Sequence, residues 1–305
     1  MRVTQGMLVE TIRANISHNA QNLNKLQDQL SSGKRLRRAS DDPASLTRAL
    51  TLRTARARNE QYLRNIEVGR SWLEATDSAL DHLTGILTRA RDIAVRAASD
   101  TLGEDERKQL AAQVESLLQE AQAVGNTKQE GKYIFAGRQL SNAPFDITQD
   151  PIYRGDYNAL HREVDADVTM QINTLDNELM INVTDSSGVT TQKGVIEASL
   201  TVLKAMESTL TAGQAVTATQ TNELTECVHG VLELRGSVGA RMSRLDATAN
   251  VLEDNQLTNK ATLSRVEDAD AAEVMTKLMM QETVYQAALM AGARIIQPSL
   301  LDFLR

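Results

Sequence analysis

Residues Leu224–Val266 read LTECVHGVLELRGSVGARMSRLDATANVLEDNQLTNKATLSRV. Leu224, Val228, Val231, Arg235, Val238, Met242, Leu245, Ala249, Leu252, Gln256, Asn259, Leu263 and Val266 follow one another at alternating steps of about four and three. That is the spacing of a coiled-coil seam. As one helix the stretch would be roughly 60 Å long. A helix of that length with an apolar stripe must lie against partners, so the fold is decided here in favour of long helices packed side by side.

The same alternation recurs at Ile66, Gly69, Leu73, Thr76, Leu80, Leu83, Leu87, Ala90 and Ala94, and more briefly at Leu110, Val114, Leu117, Ala121 and Val124. Towards the N-terminus it runs through Ile12, Ile16, Asn19, Leu23, Leu26 and Leu30, with Asn19 as a polar interruption. Ser31-Ser32-Gly33 stops that helix, and Ser40-Asp41-Asp42-Pro43 starts the next, with a capping side chain before a proline in the first turn. At the other end Val274, Leu278, Gln281, Tyr285, Ala288, Gly292 and Ile295 form a terminal seam ahead of Gln297-Pro298.

Between about 132 and 195 the pattern changes. Two of the four prolines, Pro144 and Pro151, fall there, and period-two alternation replaces the heptads at Val168, Met170 and Ile172, then at Leu179, Ile181 and Val183. Asp176-Asn177 and Asp185-Ser186-Ser187-Gly188 carry turn chemistry. The segment is expected to be a small β-rich insert with half-buried faces. The predicted fold is mainly α: a long antiparallel coiled-coil helical rod, formed by N- and C-terminal segments folded back on each other, with the β-rich insert at the tip. The expected divisions are 1–40 with 268–305 as a terminal coiled-coil domain, 41–140 with 195–267 as the rod, and 141–194 as the outer domain.

Composition agrees with helices rather than a dense globular core. Aromatic residues are only 3% of the 305 residues, so burial rests on Leu, Ile, Val, Met and Ala. The first 140 residues carry 21 Lys/Arg against 17 Asp/Glu, and the rest carry 12 against 23, within an overall charge of −7. A basic front and an acidic back suit two ends that face each other.

Chemistry-bearing patterns are weak. His18, His82, His161 and His229 are scattered, without metal-ligand spacing. Cys227 is the single cysteine and reads as a small buried thiol. Gly236-Ser237-Val238-Gly239 lies inside the heptads and is expected to permit close helix contact rather than to form a nucleotide loop. Lys34, Arg35, Arg37 and Arg38, with Arg48, Arg53, Arg56 and Arg58, lack interleaved aromatics and read as an inter-subunit ionic surface rather than a nucleic-acid site. Glu267-Asp268-Asp270-Glu273 lacks calcium-loop spacing and is expected to serve the first turn of a helix. No catalytic, cofactor-binding or metal-binding residues are assigned. No stretch reaches the ~18 apolar residues of a membrane span, so no membrane insertion is expected. The opening residues lack the apolar core of a cleaved signal peptide.

Two motifs then meet a known family. Leu30-Ser31-Ser32-Gly33-Lys34-Arg35 with Ser40-Asp41-Asp42-Pro43-Ala44 resembles the start of bacterial flagellins, and Ser264-Arg265-Val266-Glu267-Asp268-Ala269-Asp270 resembles the matching segment near their other end. The closing Leu300-Leu301-Asp302-Phe303-Leu304-Arg305 is similar too. Gly131-Lys132-Tyr133-Ile134-Phe135-Ala136-Gly137 followed by Pro144-Phe145, with Tyr153-Arg154-Gly155-Asp156 and Val238–Leu245, resembles the hook–filament junction branch of that superfamily. The resemblance implies terminal coiled coils lining an axial channel, a surrounding helical rod and an outer β domain. It further implies a structural, non-enzymatic subunit of the extracellular flagellum, exported without a cleaved signal peptide and held beforehand by a flagellar export chaperone. Its neighbours would be hook-associated protein 1, flagellin and copies of itself in a ring. Assembly seams are expected at Ile12, Ile16, Leu23, Leu26, Leu30, Val274, Leu278, Tyr285 and Ile295, and an intrasubunit rod contact of Leu245 and Leu252 with Leu73, Leu80 and Leu83. Arg89 and Ile93 match positions through which an innate immune receptor reads flagellins, but Gln113 stands where a Glu is expected. A flagellin filament subunit and an intracellular coiled-coil adaptor remain as alternative readings.

Overall fold

The computed structural model describes residues 5–36, 38, 42–99, 102–185 and 187–303, except for the side chains of residues 5, 8 and 295–303. Among these the fold is mainly α, with six helices and three two-stranded antiparallel sheets. The chain divides into two compact units, residues 1–58 with 255–305, and residues 59–254. Segment 141–194 falls within the second unit.

The first unit holds α1 (Gln5–Ser32), α6 (Ala271–Phe303), the start of α2 (Pro43–Ala97) and the end of α5 (Ala218–Glu267). Helix α1 ends where Gly33 takes a left-handed φ of 67°, open to glycine without steric penalty. Asp42 caps α2: its Oδ1 accepts the Ser45 N–H at 3.1 Å, its carbonyl accepts the Leu46 N–H at 3.0 Å, and Pro43 fills the first helical position. Ser40 and Asp41, also expected at this cap, lie outside the described residues. Asp270 caps α6 through Oδ1, which accepts the N–H groups of Ala272 at 2.9 Å and Glu273 at 3.2 Å. The α6 backbone continues past Gln297-Pro298, where the terminal seam was expected to finish.

The second unit contains the rest of α2 and α5, together with α3 (Glu104–Gly125) and α4 (Val195–Thr211). Every α2 seam residue from Ile66 to Ala94 is buried, and Trp72, Ile86 and Ile93 widen the stripe into a full face. Helix α4 is buried on nearly every side, its Ser199 and Thr201 hydroxyls satisfied by donating to the carbonyls of Val195 and Glu197. It packs against α3 and against the hairpin of β5 (Met180–Thr184) and β6 (Thr190–Gly194).

The β segments serve the same core. β1 (Lys128–Gln129) and β2 (Lys132–Tyr133) are joined by Glu130 and Gly131, both at positive φ, the geometry of a two-residue hairpin turn. β3 (His161–Asp165) pairs with β4 (Val168–Gln171) with a register shift between Glu163 and Asp165. Met170, Ile172, Ile181 and Val183 turn inward as the alternation predicts, whereas Val168 is exposed at the start of its strand. Phe135, Phe145, Ile152 and Tyr153 belong to the same apolar cluster as Leu73, Leu80, Leu83, Leu245 and Leu252. The insert is therefore one-faced, but its inner face continues the helical core.

Candidate assembly surface and the joints that shape it

In the first unit α1 and α6 pack antiparallel. Gly292 of α6 lies over Ile12 and Ile16, so close that an added Cβ would stand 3.2 Å from Ile12 Cγ2 and 3.4 Å from Ile16 Cδ1. About one helical turn before Tyr285, Gln281 donates its amide to Asn19 Oδ1 at 3.2 Å. Ile12, Ile16, Leu23, Leu26 and Leu30 are half-buried along α1; on α6 Val274 is buried, and Leu278 and Tyr285 are half-buried. The side chain of Ile295 lies outside the described residues. Both terminal seams thus face each other within one chain.

That contact uses one stripe of each helix and leaves other apolar side chains exposed. On α6 these are Met275, Met279, Met280, Val284, Leu289 and Met290; on α1 they are Met7 and Val9. Met279, Met280 and Met290 each expose more than 60% of their surface. A helix apolar on several faces is ordinarily a buried one, and unbranched methionines adapt to irregular partner surfaces.

A polar joint ties the two motif-bearing segments of this unit together. Arg35 N–H donates to the Glu267 carbonyl at 2.7 Å, and Ala269 N–H to the Gly33 carbonyl at 2.9 Å, so residues 33–35 and 267–269 form a short antiparallel bridge. The Glu267 carboxylate, only 3% exposed, is gripped by Lys34 and Arg53. Burial pushes its proton affinity up, but the hydrogen bonds and charges of Lys34 and Arg53 outweigh that and leave it below the ordinary glutamate value. Two sequence expectations are corrected here. Glu267 closes α5 instead of serving the first turn of α6, because its side chain is drawn to two cations; and Lys34 and Arg53 are engaged within the chain.

In the second unit α2 and α5 run antiparallel with a definite register. Leu245 Cδ1 would lie 3.4 Å from a Cβ at Gly69, and Arg235 Nε donates to Asp77 Oδ1 at 3.0 Å and Nη1 to Asp81 Oδ1 at 2.6 Å. Leu73, Leu80, Leu83, Leu245 and Leu252 are all buried. The expected pairing of Leu252 with Leu80 and Leu83 does not fit this register. Leu80 and Leu83 lie near the Arg235 level, and Leu252 lies about two turns beyond Leu245 in the opposite direction. At Gly236 and Gly239 nothing lies within 4 Å of where a Cβ would stand, so the close approaches fall at Gly69, Gly230 and Gly292 instead.

The motif around Tyr133–Gly137 is a folding joint as well. Tyr153 Oη donates its single proton to the Asp156 carbonyl at 2.7 Å, with the Phe135 carbonyl a second acceptor within reach at 3.1 Å, while its ring meets Phe145 at 5.2 Å between centroids. Gly137, at φ 66°, lies directly under Asp156, whose Oδ1 accepts the Arg138 N–H at 2.6 Å. Any side chain at Gly137 would collide with it. Arg89, Ile93 and Gln113 line one shallow groove between α2 and α3. The four histidines are exposed, and Cys227 is fully buried, its thiol pushed up to about 12 by burial. Among the described residues no His/Cys/Asp/Glu group is arranged to hold a metal, and no helix is long and apolar enough to cross a membrane.

Sequence reading missed one residue of note. Asp176, taken for turn chemistry, is fully buried, and its carboxylate caps α4 from outside that helix. Only the absence of a capping side chain at Gly194, just before α4, could have prompted a search for it.

Comparison with known proteins bears on both ends of the chain. Residues 3–139 match the bacterial flagellin N-terminal helical region, and residues 221–304 match the bacterial flagellin C-terminal helical region. A flagellar hook-associated protein 3 from Salmonella typhimurium is 27% identical over 301 residues, covering 94% of this chain and 95% of that protein. A flagellin from Listeria innocua is 24% identical over 291 residues, covering 95% and 93%. The flagellar junction protein FlgL from Legionella pneumophila has the same fold, with a TM-score of 0.53 at 16% identity, over 72% of this chain and all of that one.

Proposed function

The chain belongs to the bacterial flagellin superfamily, and from that premise we propose that it is the structural subunit that joins the flagellar hook to the filament. The observation that carries this reading is the apolar surface of α6 left exposed outside its contact with α1, which suits burial against neighbouring subunits in a polymer. The end-to-end similarity to a hook-associated protein 3 favours the junction among the possible positions.

In this reading the subunit forms a ring of its own copies between hook-associated protein 1 and flagellin. Residues 1–40 and 268–305 interlock with the neighbours, 41–140 and 195–267 form the rod, and 141–194 face outward. The seam residues Ile12, Ile16, Leu23, Leu26, Leu30, Val274, Leu278, Tyr285 and Ile295 order the terminal pair that presents the methionine-rich faces. Export runs through the flagellar secretion apparatus without a cleaved signal peptide, with a chaperone covering α6 beforehand. The role is structural, and no catalysis enters it.

The similarity to a flagellin of comparable length supports a second reading, the filament subunit itself. A deletion strain separates the two. Loss of a junction subunit leaves hooks without filaments and flagellin spilled into the medium. Intact filaments in that strain, or bare hooks with no flagellin made, would contradict the junction role.

A further inference from the structure

Helix α6 carries a second apolar stripe besides the one that meets α1. Gln281 and Gly292 mark the row against α1. Roughly a third of a turn round the helix, Met275, Met279, Leu289 and Met290 fall within an arc of about 100°. Met280 extends the apolar surface further round. Met275 is 46% exposed, Met279 61%, Met280 65% and Met290 66%, so every methionine of α6 is open to solvent in the single chain.

Sulfur elsewhere is less accessible. Met170 and Met206 are buried and Met242 is half-buried; of the other described methionines only Met7 and Met180 are exposed, each alone on its own element. Cys227 would ordinarily be the first sulfur to meet an oxidant, because a thiolate is the stronger nucleophile. Here it is fully buried, and burial pushes its thiol up to about 12, so it offers no thiolate to compete. The oxidisable sulfur within reach of solvent is therefore concentrated on α6.

We propose that Met275, Met279, Met280 and Met290 form a peroxide-sensitive modification site that decides whether an unassembled subunit can be incorporated. This rests on the assembly role assigned to the α6 surface. Hydrogen peroxide oxidises each thioether to a sulfoxide: a sulfur–oxygen bond forms as the peroxide oxygen–oxygen bond breaks, sulfur gives up two electrons, and the second oxygen leaves as water. The product is polar, and its oxygen must find a hydrogen-bond donor that an apolar contact does not supply. Subunits already in place have these sulfurs covered. Peroxide thus bars new subunits without dismantling old ones.

The full-length, unassembled chain is treated with hydrogen peroxide and its peptides are weighed. Oxygen should enter the four α6 methionines before Met170 and Met206; equal uptake by all methionines would overturn the site. Oxidised and untreated subunits are then added to hooks isolated from the deletion strain. Oxidation should lower incorporation by on the order of tenfold or more, and methionine sulfoxide reductase should restore it. Undiminished incorporation would overturn the proposal. An untreated subunit that adds to filament ends instead of hooks contradicts the junction role alone, and the same comparison is then made at those ends. Met275→Leu, Met279→Leu, Met280→Leu and Met290→Leu combined should make incorporation resistant to peroxide; a loss equal to that of the unaltered chain would place the sensitive sulfur elsewhere and reject the site. Should that variant not stay soluble, Met279→Gln with Met280→Gln replaces it: incorporation must fall without peroxide, and full incorporation rejects the site.

Discussion

Gln281 of α6 donates its side-chain amide to the Asn19 side-chain carbonyl of α1 at 3.2 Å, in the middle of a seam that is otherwise apolar. A polar pair at such a position fixes which turn of one helix faces which turn of the other, at some expense of stability. Gln281→Leu leaves Asn19 without that donor and should destabilise the α1–α6 pair by about 1 kcal/mol. Adding Asn19→Leu should recover the loss, because both polar groups are then gone. Hydrogen exchange of the α1 amides reads this out, and additive losses in the double variant would contradict it.

Glu267 gives the first unit a pH response. Its folded carboxyl lies below the ordinary 4.5, so its stabilisation is present above that value and is lost as pH falls through the lower folded one. After correction for intrinsic exchange rates, the amides of Arg35 and Ala269, which bond across the joint, should lose protection as pH drops below about 4.5. Glu267→Gln should weaken the joint by about 1.5–3 kcal/mol at pH 7 and flatten that dependence. A variant with wild-type exchange at both amides would show that Lys34 and Arg53 do not hold the joint.

Leu80 is completely buried in the α2 face, while His82, two residues away, is exposed. Leu80→Asp places an unpaired carboxylate among apolar side chains and should cost several kcal/mol, about 3–5. His82→Ala should shift the melting temperature by less than a degree or two, roughly the effect of a surface change within 0.5 kcal/mol. Equal melting temperatures for the two variants would place the seam on the wrong side of α2.

The glycines give a paired test. An alanine at Gly69 would push its Cβ to 2.9 Å from Ile172 Cγ2, so overpacking by about 1–3 kcal/mol outweighs the helix gain of about 1 kcal/mol. At Gly236 nothing is within 4 Å, and alanine should stabilise by about 0.5–1 kcal/mol. Thermal melts should move in opposite directions.

The helical frame was readable because heptad spacing is written in side-chain type alone. The stop at Gly33 and the start at Asp42-Pro43 follow from the φ preferences of two residues. What stayed hidden is everything that needs a register between distant segments. A heptad pattern is unchanged by a shift of seven, so Leu80 could be set opposite Leu252 on paper while the structure aligns Gly69 with Leu245. The partners of Glu267 lie 233 and 214 positions away. Asp176 looked like a turn residue because the helix it caps begins some twenty positions later. Gly236 and Gly239 looked like contact points because small residues cannot announce what, if anything, lies opposite.

A junction subunit occupies one level of the flagellum. Immunogold electron microscopy of intact flagella, with antibody against this chain, tests that most directly. A single band of label where the hook meets the filament is the predicted result. Label distributed along the filament would contradict the junction role and make the chain a filament subunit.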